Sequence, residues 1–210
     1  MCNRYSNQIS YRAYVEILRD LGIPLVSPDP SAAPNLEPRD NIRPTDRVPI
    51  LRPVPGGLEL RELRWGLIPR YHTKSIKEWT LLMTNARSET LLTNRYFKGP
   101  AASQRCLVPA DQFYEWTGPK GQKTKWSFRM KDADWFCFAG IWERATTTDG
   151  EIESFALVTM PAGPDVQAYH DRQPVILQRG QYKEWLNPSR DVAPLLSPPA
   201  AGTLLVSQAV

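Results

Sequence analysis

Proline limits the fold of this chain more than any other residue, with 20 prolines among 210 residues, close to twice the usual ~5%. The proline ring fixes φ and removes a backbone N–H donor, so proline interrupts helices and is kept to the margins of sheets. Seven prolines lie between residues 24 and 49. Too little chain precedes this stretch to fold alone, so we interpret it as a long ordered loop and not as a linker between domains. We expect irregular connections and bent strands throughout.

The composition is typical of a single globular domain spanning residues 1–210. Hydrophobic residues make up 41% and charged residues 23% of the chain. No apolar run approaches the ~20 residues of a membrane helix, and the N-terminus lacks a secretory signal, so we expect a cytoplasmic protein. The net charge of +4 suits a partner rich in phosphate. Three cysteines without a CxxC pair, Cys2, Cys106 and Cys137, disfavour both a disulfide framework and a zinc site.

Local patterns predict an α+β fold built on a curved, mostly antiparallel sheet that closes like a barrel, with short flanking helices. Apolar residues at helical spacing predict a helix that begins after Ser10 and ends before Gly22. The run WFCFAGIW at 135–142 predicts a central strand buried on both faces. The other predicted strands are 48–52, 58–65, 81–84, 105–109, 112–116, 124–130 and 155–160, and further short helices are predicted over 88–96 and 181–186.

The strand predicted for 58–65 has an irregular pattern. Leu58 and Leu60 alternate, but Leu63 and Trp65 are one residue out of phase. A β-bulge near Glu62 would restore the alternation, so we predict one there.

Cys2 is notable for its position. Methionine aminopeptidase generally removes Met1 before a small second residue, which would leave Cys2 with a free α-amine beside its thiol. The amine of such an aminothiol condenses with an aldehyde to an imine, and the thiol then closes on the imine carbon to form a thiazolidine. From position alone, a cysteine without any chemical role is the commoner case. Cys106 and Cys137 lie in apolar runs and are expected to be inert core thiols.

Three other segments carry groups suited to chemistry. Asn85 and Arg87 are two apart at a predicted strand end and would share one face, although a surface arginine is the simpler alternative. Glu115 lies among aromatic residues, which predicts a raised pKa and a role in proton transfer, unless it is a partly exposed strand residue. His170 lies in a polar turn before an apolar strand, where it could transfer protons or simply face solvent.

Five motifs occur in the order and spacing of one family. They are Met-Cys-Asn-Arg-Tyr at 1–5, Trp-Gly with a following proline at 65–69, Asn-Ala-Arg-Ser-Glu-Thr at 85–90, Phe-Tyr-Glu-Trp at 113–116 and His-Asp-Arg-Gln-Pro-Val-Ile-Leu at 170–177. The chain resembles the SOS response-associated peptidase (SRAP) family of abasic-site processing proteins, which attach themselves to damaged DNA. The match extends from residue 2 to the end and is loose across 24–49.

The resemblance implies the SRAP fold and a reaction at the N-terminus. Cys2 would trap the ring-opened aldehyde of an abasic deoxyribose as a thiazolidine crosslink in single-stranded DNA. Asn85 would position Cys2 and the sugar, Glu115 would shuttle protons during imine formation and crosslink reversal, and His170 would assist ring opening and reversal. Autopeptidase activity would remove the residue before Cys2, and the imine would permit a lyase reaction by β-elimination.

The resemblance also implies a DNA-binding surface. Arg4 and Arg87 match positions that hold flanking phosphates. Tyr71 and His72 occupy positions where tryptophans can wedge or stack against DNA, which tyrosine does better than histidine. Asn3 replaces the glycine that commonly follows the cysteine. The expected partner is abasic single-stranded DNA, with no membrane, metal or other cofactor, for a monomer that is nucleoid-associated when bound to DNA.

Two other functions stay open from the residues alone. Cys2 could be the nucleophile of an N-terminal-nucleophile amidohydrolase acting on a small amide or peptide, with Glu115 or His170 relaying protons. A non-enzymatic nucleic-acid binder could use the basic surface and the tryptophan and tyrosine rings.

Overall fold

The computed structural model describes residues 3–26 and 36–209. The strands are β1 (Tyr5–Asn7), β2 (Leu25–Val26), β3 (Arg39–Ile42), β4 (Arg47–Val54), β5 (Gly57–Trp65), β6 (Asn85–Arg87), β7 (Arg105–Ala110), β8 (Gln112–Thr117), β9 (Thr124–Met130), β10 (Phe136–Thr147), β11 (Gly150–Pro161), β12 (Arg172–Pro174), β13 (Ile176–Leu177) and β14 (Leu204–Gln208). The α-helices are α1 (Tyr11–Asp20), α2 (Lys98–Ser103) and α3 (Tyr182–Leu186). Single 3-10 turns cover 76–78, 88–90, 179–181 and 193–195.

The strands form two sheets. One has the order β14-β9-β8-β1-β3 and the other the order β12-β11-β10-β7-β4-β5-β2. In the larger sheet β11 also pairs with β5 in parallel, so β5, β4, β7, β10 and β11 close into a ring. The predicted α+β fold with a mostly antiparallel, barrel-like sheet and short helices is therefore confirmed.

Hydrophobic cores cover both faces of the larger sheet. One core lies between the two sheets and includes Phe136 and Phe138, whereas the other lies under the helices and includes Cys137 and Ala139. Successive residues of β10 thus point into different cores, as the pleat of a strand requires. The prediction that the run 135–142 is buried on both faces is confirmed.

The two cores also explain the irregular pattern of β5. The predicted bulge near Glu62 is wrong, because β4 and β5 keep one register along their whole pairing. Leu58 and Leu60 pack in the core under the helices, whereas Leu63 and Trp65 pack in the core between the sheets. Even-numbered and odd-numbered residues face opposite sides of a regular strand. The change of phase therefore marks the point where burial passes from one face to the other.

Helix α1 forms as predicted. The side chain of Ser10 accepts a hydrogen bond from the backbone N–H of Ala13, which caps the helix. Tyr14 and Leu18 are its buried residues. Gly22 follows the helix with φ +62°, a left-handed conformation that favours glycine. No helix in the described part of the chain is long and apolar enough to cross a membrane.

Several local predictions need correction. The strand predicted for 81–84 is absent, and the strand in this region is β6, which pairs in parallel with β11. Ser88 begins a single 3-10 turn instead of a helix to residue 96, and helix α2 was not predicted. The long loop predicted for 24–49 contains β2, β3 and the beginning of β4, and its residues 27–35 lie outside the described ranges. Strand β14, which pairs with β9, was not predicted.

Candidate active site

A polar pocket of about 370 Å³ lies where the beginning of the chain meets the end of β8. It is lined by Asn3, Arg4, Glu115, Trp116, Lys123 and His170. These residues come from the segment before β1, from β8, from the turn between β8 and β9 and from the loop before β12. A larger groove of about 800 Å³ beside α1 and β2 is mainly apolar, and its described walls hold no carboxylate, histidine or thiol. The smaller pocket is therefore the candidate active site.

Glu115 is the buried acid of this pocket. It lies on β8 opposite Trp126 of β9 and is only 4% exposed. The pKa of Glu115 is raised to about 7, chiefly by burial and also by the charge of Asp171, while the positive charge of Lys123 lowers it. The Oε1 atom is buried with no hydrogen-bond partner among the described residues. Near neutral pH this carboxyl group can therefore both donate and accept a proton.

His170 faces Glu115 across the pocket. Its Nε2 atom lies 3.9 Å from Glu115 Oε2, and its Nδ1 atom lies 3.0 Å from Asp171 Oδ1. The Nδ1 atom also lies 2.9 Å from the backbone nitrogen of Arg172, whose N–H donates to it when the ring proton is on Nε2, and 3.0 Å from the Arg172 carbonyl oxygen. With the ring proton on Nδ1, that nitrogen donates to the carbonyl oxygen or to Asp171, and Nε2 is able to accept a proton. Burial lowers the pKa of His170, and Asp171 opposes this effect. The neutral ring thus directs Nε2 towards the carboxyl group of Glu115.

Asn85 contacts the first described residue of the chain. It begins β6, opposite Leu157 of β11. Its Nδ2 atom donates to Asn3 Oδ1 at 3.2 Å and to Thr84 Oγ1 at 3.0 Å, and the Thr84 hydroxyl donates to the same Asn3 oxygen at 3.2 Å. Asn85 is therefore hydrogen-bonded to Asn3, the residue that directly follows Cys2 in the chain.

The cysteines divide into two groups. Cys106 and Cys137 are buried, as predicted, and burial raises the pKa of both thiols, so neither supplies a thiolate at neutral pH. Cys2, the predicted nucleophile, lies outside the described residues. Within the described ranges, no three His, Cys, Asp or Glu side chains come together in a way that could hold a metal ion.

The two arginines predicted to bind phosphates lie in different settings. Arg4 lines the pocket, places its guanidinium 5.5 Å from the ring centre of Trp116 and donates to Asn41 Oδ1. Burial and the neighbouring Arg43 lower the pKa of Arg4. Arg87 does not line the pocket and is exposed at the end of β6.

The two residues predicted to stack on DNA also differ. Tyr71 is 58% exposed, with its ring 6.3 Å from that of Tyr96. His72 is 9% exposed, its Nε2 atom lies 3.0 Å from the carbonyl oxygen of Ser75, and its ring packs edge-on against Trp79. Tyr71 offers a ring face at the surface, whereas His72 is largely buried and packs inside the loop, so its stacking on DNA stays a prediction.

Two residues of this region were not singled out in the sequence. Arg172 donates to both carboxylate oxygens of Glu89, at 2.6 and 2.9 Å, and to the carbonyl oxygen of Thr159. The hydrogen bonds from Arg172 lower the pKa of Glu89 to about 2. This clamp joins the turn after β6 to the strand that follows His170. Lys123 lines the pocket from an exposed turn, and no sequence motif distinguishes it from the other surface lysines.

Comparison with known proteins places the chain in one family. The family described as "SOS response associated peptidase (SRAP)" matches residues 1–210. "Abasic site processing protein YoaM" of Bacillus subtilis (strain 168) is 33% identical over 191 residues, which cover 90% of this chain and 80% of the relative. "Abasic site processing protein YedK" of Escherichia coli (strain K12) is 27% identical over 189 residues, which cover 89% of this chain and 79% of the relative.

Solved structures agree. A crystal structure of a protein from Bacteroides thetaiotaomicron is similar with a TM-score of 0.82 and 25% identity, over 99% of this chain and 91% of the other. A crystal structure of a protein from Bordetella bronchiseptica is similar with a TM-score of 0.80 and 26% identity, over the whole of both chains. The chain belongs to the SOS response associated peptidase family.

Proposed function

We propose that this protein is an abasic-site processing enzyme that captures the aldehyde of an abasic site in single-stranded DNA through the aminothiol of Cys2. The observation that carries the proposal is the pairing of Glu115, a buried acid with a pKa near 7, with His170 at 3.9 Å in a pocket that also holds Asn3. Membership of the family and the names of the relatives support abasic DNA as the substrate.

The first step joins the amine to the sugar. After removal of Met1, the α-amine of Cys2 attacks the aldehyde carbon C1′ and forms a carbinolamine. Expulsion of the hydroxyl group as water gives an imine, and this expulsion needs a proton on the leaving oxygen. Glu115 supplies that proton in its protonated form, which is well populated near neutral pH because its pKa is about 7.

The second step closes the ring. The Cys2 sulfur bonds to the imine carbon, and the thiol proton ends on the nitrogen, so the whole sequence releases one water and requires no oxidant. Ring closure is intramolecular, which favours the five-membered thiazolidine. His170, which burial keeps neutral, accepts the thiol proton and returns it to the nitrogen. The same ring assists the earlier opening of the sugar hemiacetal.

Two further activities belong to the proposal. Cleavage of the Met1–Cys2 peptide bond by the protein itself would be the peptidase reaction of the family's name. The imine also acidifies the hydrogen on C2′, and loss of that proton with departure of the 3′ phosphate would cleave the strand. Arg4 and Arg87 are proposed to hold flanking phosphates, and the exposed Tyr71 ring to stack on a base.

Covalent capture is tested with an abasic oligonucleotide on a denaturing gel. Protein whose intact mass shows that Met1 is absent should give a band that survives denaturation, with the summed masses of protein and DNA less one water. Cys2→Ala should abolish it. Insertion of alanine between Met1 and Cys2 keeps the thiol but moves the terminal amine to another residue, so it should also abolish the band. An oligonucleotide reduced with borohydride lacks the aldehyde and should not react.

Crosslinking by Cys2→Ala at the parent rate would refute this mechanism. Hydrolysis of a peptide or amide without DNA, still dependent on Cys2, would instead favour an amidohydrolase. Salt-sensitive binding that is indifferent to the lesion, with no covalent product, would favour a simple nucleic-acid binder.

A further inference from the structure

Lys123 is a charged residue of the pocket to which no role has yet been assigned. It is exposed and lines the same pocket as Glu115. Among the described residues, none of the ion pairs within 4.0 Å involves Lys123. The positive charge of its ammonium group is therefore not neutralised by an ion pair with a described carboxylate, and it contributes to the electrostatic potential of the pocket.

The turn that carries Lys123 keeps it beside the buried acid. The pairing of β8 with β9 ends at Thr117 and Thr124, so Lys123 directly adjoins the last pair of the ladder. Gly118 has φ +92°, and a Cβ there would lie 2.8 Å from a backbone oxygen of the turn. Only glycine fits this path of the chain, so the turn returns Lys123 to the strand end near Glu115.

Other titratable or charged groups also lie around Glu115. His170 lies 3.9 Å away and Asp171 follows it, while Arg4 lines the same pocket. The amino terminus lies outside the described residues. Asp171 and burial both favour the protonated acid, whereas the positive charge of Lys123 favours the carboxylate.

We propose that Lys123 is a positioning residue for the aldehyde-capturing reaction: its ammonium group keeps a fraction of Glu115 ionised near neutral pH, so that one carboxyl group serves as both acid and base. Loss of water from the carbinolamine needs the acid form. Removal of a proton from the attacking amine needs the carboxylate. The catalytic consequence rests on the proposed function, whereas the effect on the charge of Glu115 does not.

The charge effect is tested without DNA. Carbon-13 NMR of the glutamate carboxyl groups follows the titration of Glu115 in the full chain. Lys123→Gln should raise the titration midpoint by on the order of half a pH unit, since an exposed charge acts through solvent and salt. Lys123→Arg keeps the charge and should leave the midpoint unchanged. Lys120→Gln removes an exposed lysine of the same turn that does not line the pocket, and should also leave it unchanged.

The catalytic consequence is tested by the crosslinking rate between pH 5 and 9. Lys123→Gln should move the profile to higher pH by the same amount as the midpoint, and Lys123→Arg should restore it. A folded Lys123→Gln protein with the parent midpoint and the parent profile would overturn the inference while the proposed function stands. If the parent protein forms no crosslink, the proposed function fails, and the NMR titration still decides whether Lys123 sets the charge of Glu115.

Discussion

The Glu115→Gln substitution is expected to stabilise the fold at pH 8 while it removes crosslinking activity. Glu115 is 4% exposed, and its Oε1 atom has no hydrogen-bond partner among the described residues. A buried carboxylate without a strong partner destabilises the folded state. Glutamine has nearly the same shape and carries no charge at any pH, so it avoids this penalty. Stability and activity should therefore change in opposite directions.

The magnitude follows from the two pKa values. Glu115 titrates at about 7 in the folded protein, against an ordinary value of 4.5. Between these values the folded state holds a proton that the unfolded chain has released, so the stability of the parent falls as pH rises. At about 1.4 kcal/mol for each pH unit, the difference between these two pKa values corresponds to a loss of about 3 kcal/mol in the free energy of unfolding when Glu115 is ionised. The full difference in the free energy of unfolding between Glu115→Gln and the parent is present above pH 7 and vanishes below pH 4.5.

Urea unfolding, followed by tryptophan fluorescence at pH 5, 6, 7 and 8, measures this difference. The free energy of unfolding of Glu115→Gln minus that of the parent should increase steadily over the series. Glu184→Gln, which changes an exposed glutamate on α3, serves as the matched control and should show no such increase. A Glu115→Gln difference that is the same at pH 5 and pH 8 would refute a folded pKa near 7.

Three other substitutions test the fold and the site. Gly140→Ala would place a Cβ 2.7 Å from Val108 Cγ2, so unfolding in urea should show a loss of about 1–3 kcal/mol, and an unchanged midpoint would contradict such tight packing. Arg172→Lys removes the bidentate pair of hydrogen bonds to Glu89 and should lower the free energy of unfolding at pH 7 by about 1–3 kcal/mol. This loss should become smaller as the pH approaches 2, because Glu89 is then protonated in the parent. Asn85→Ala should slow crosslinking at least about tenfold and change the free energy of unfolding by no more than about 1 kcal/mol, so equal losses of both would indicate a structural role.

Elements with a complete local signal could be predicted from the sequence. Helix α1 has a capping serine, an apolar stripe and a terminating glycine, all of which act as the pattern indicates. Strands β4 and β5 flank a turn at Pro55–Gly56, and β10 is an uninterrupted apolar run. In each case the residues that determine the element lie within it or beside it.

Elements that depend on distant partners could not be predicted. Strand β6 forms because it pairs in parallel with β11, and β14 because it pairs with β9, so neither has a complete signal of its own. Helix α2 contains Gly99 and Pro100, which disfavour helices, and its buried Ala101 packs in the core under the helices. Tertiary packing outweighs local propensity in all three.

The candidate site also combines features that neighbouring residues determine with features that distant residues determine. The aromatic neighbours of Glu115 predict a buried acid, because they are adjacent in the sequence and shield it from water. The titratable side chains of His170 and Lys123 come from two other segments, and only the folded chain places them in the same pocket as Glu115. In the unfolded chain the same motif would carry an ordinary glutamate. The proton affinity on which the proposed reaction depends is therefore a property of the folded pocket, and a change that loosens the pocket should return Glu115 towards its ordinary pKa before the fold is lost.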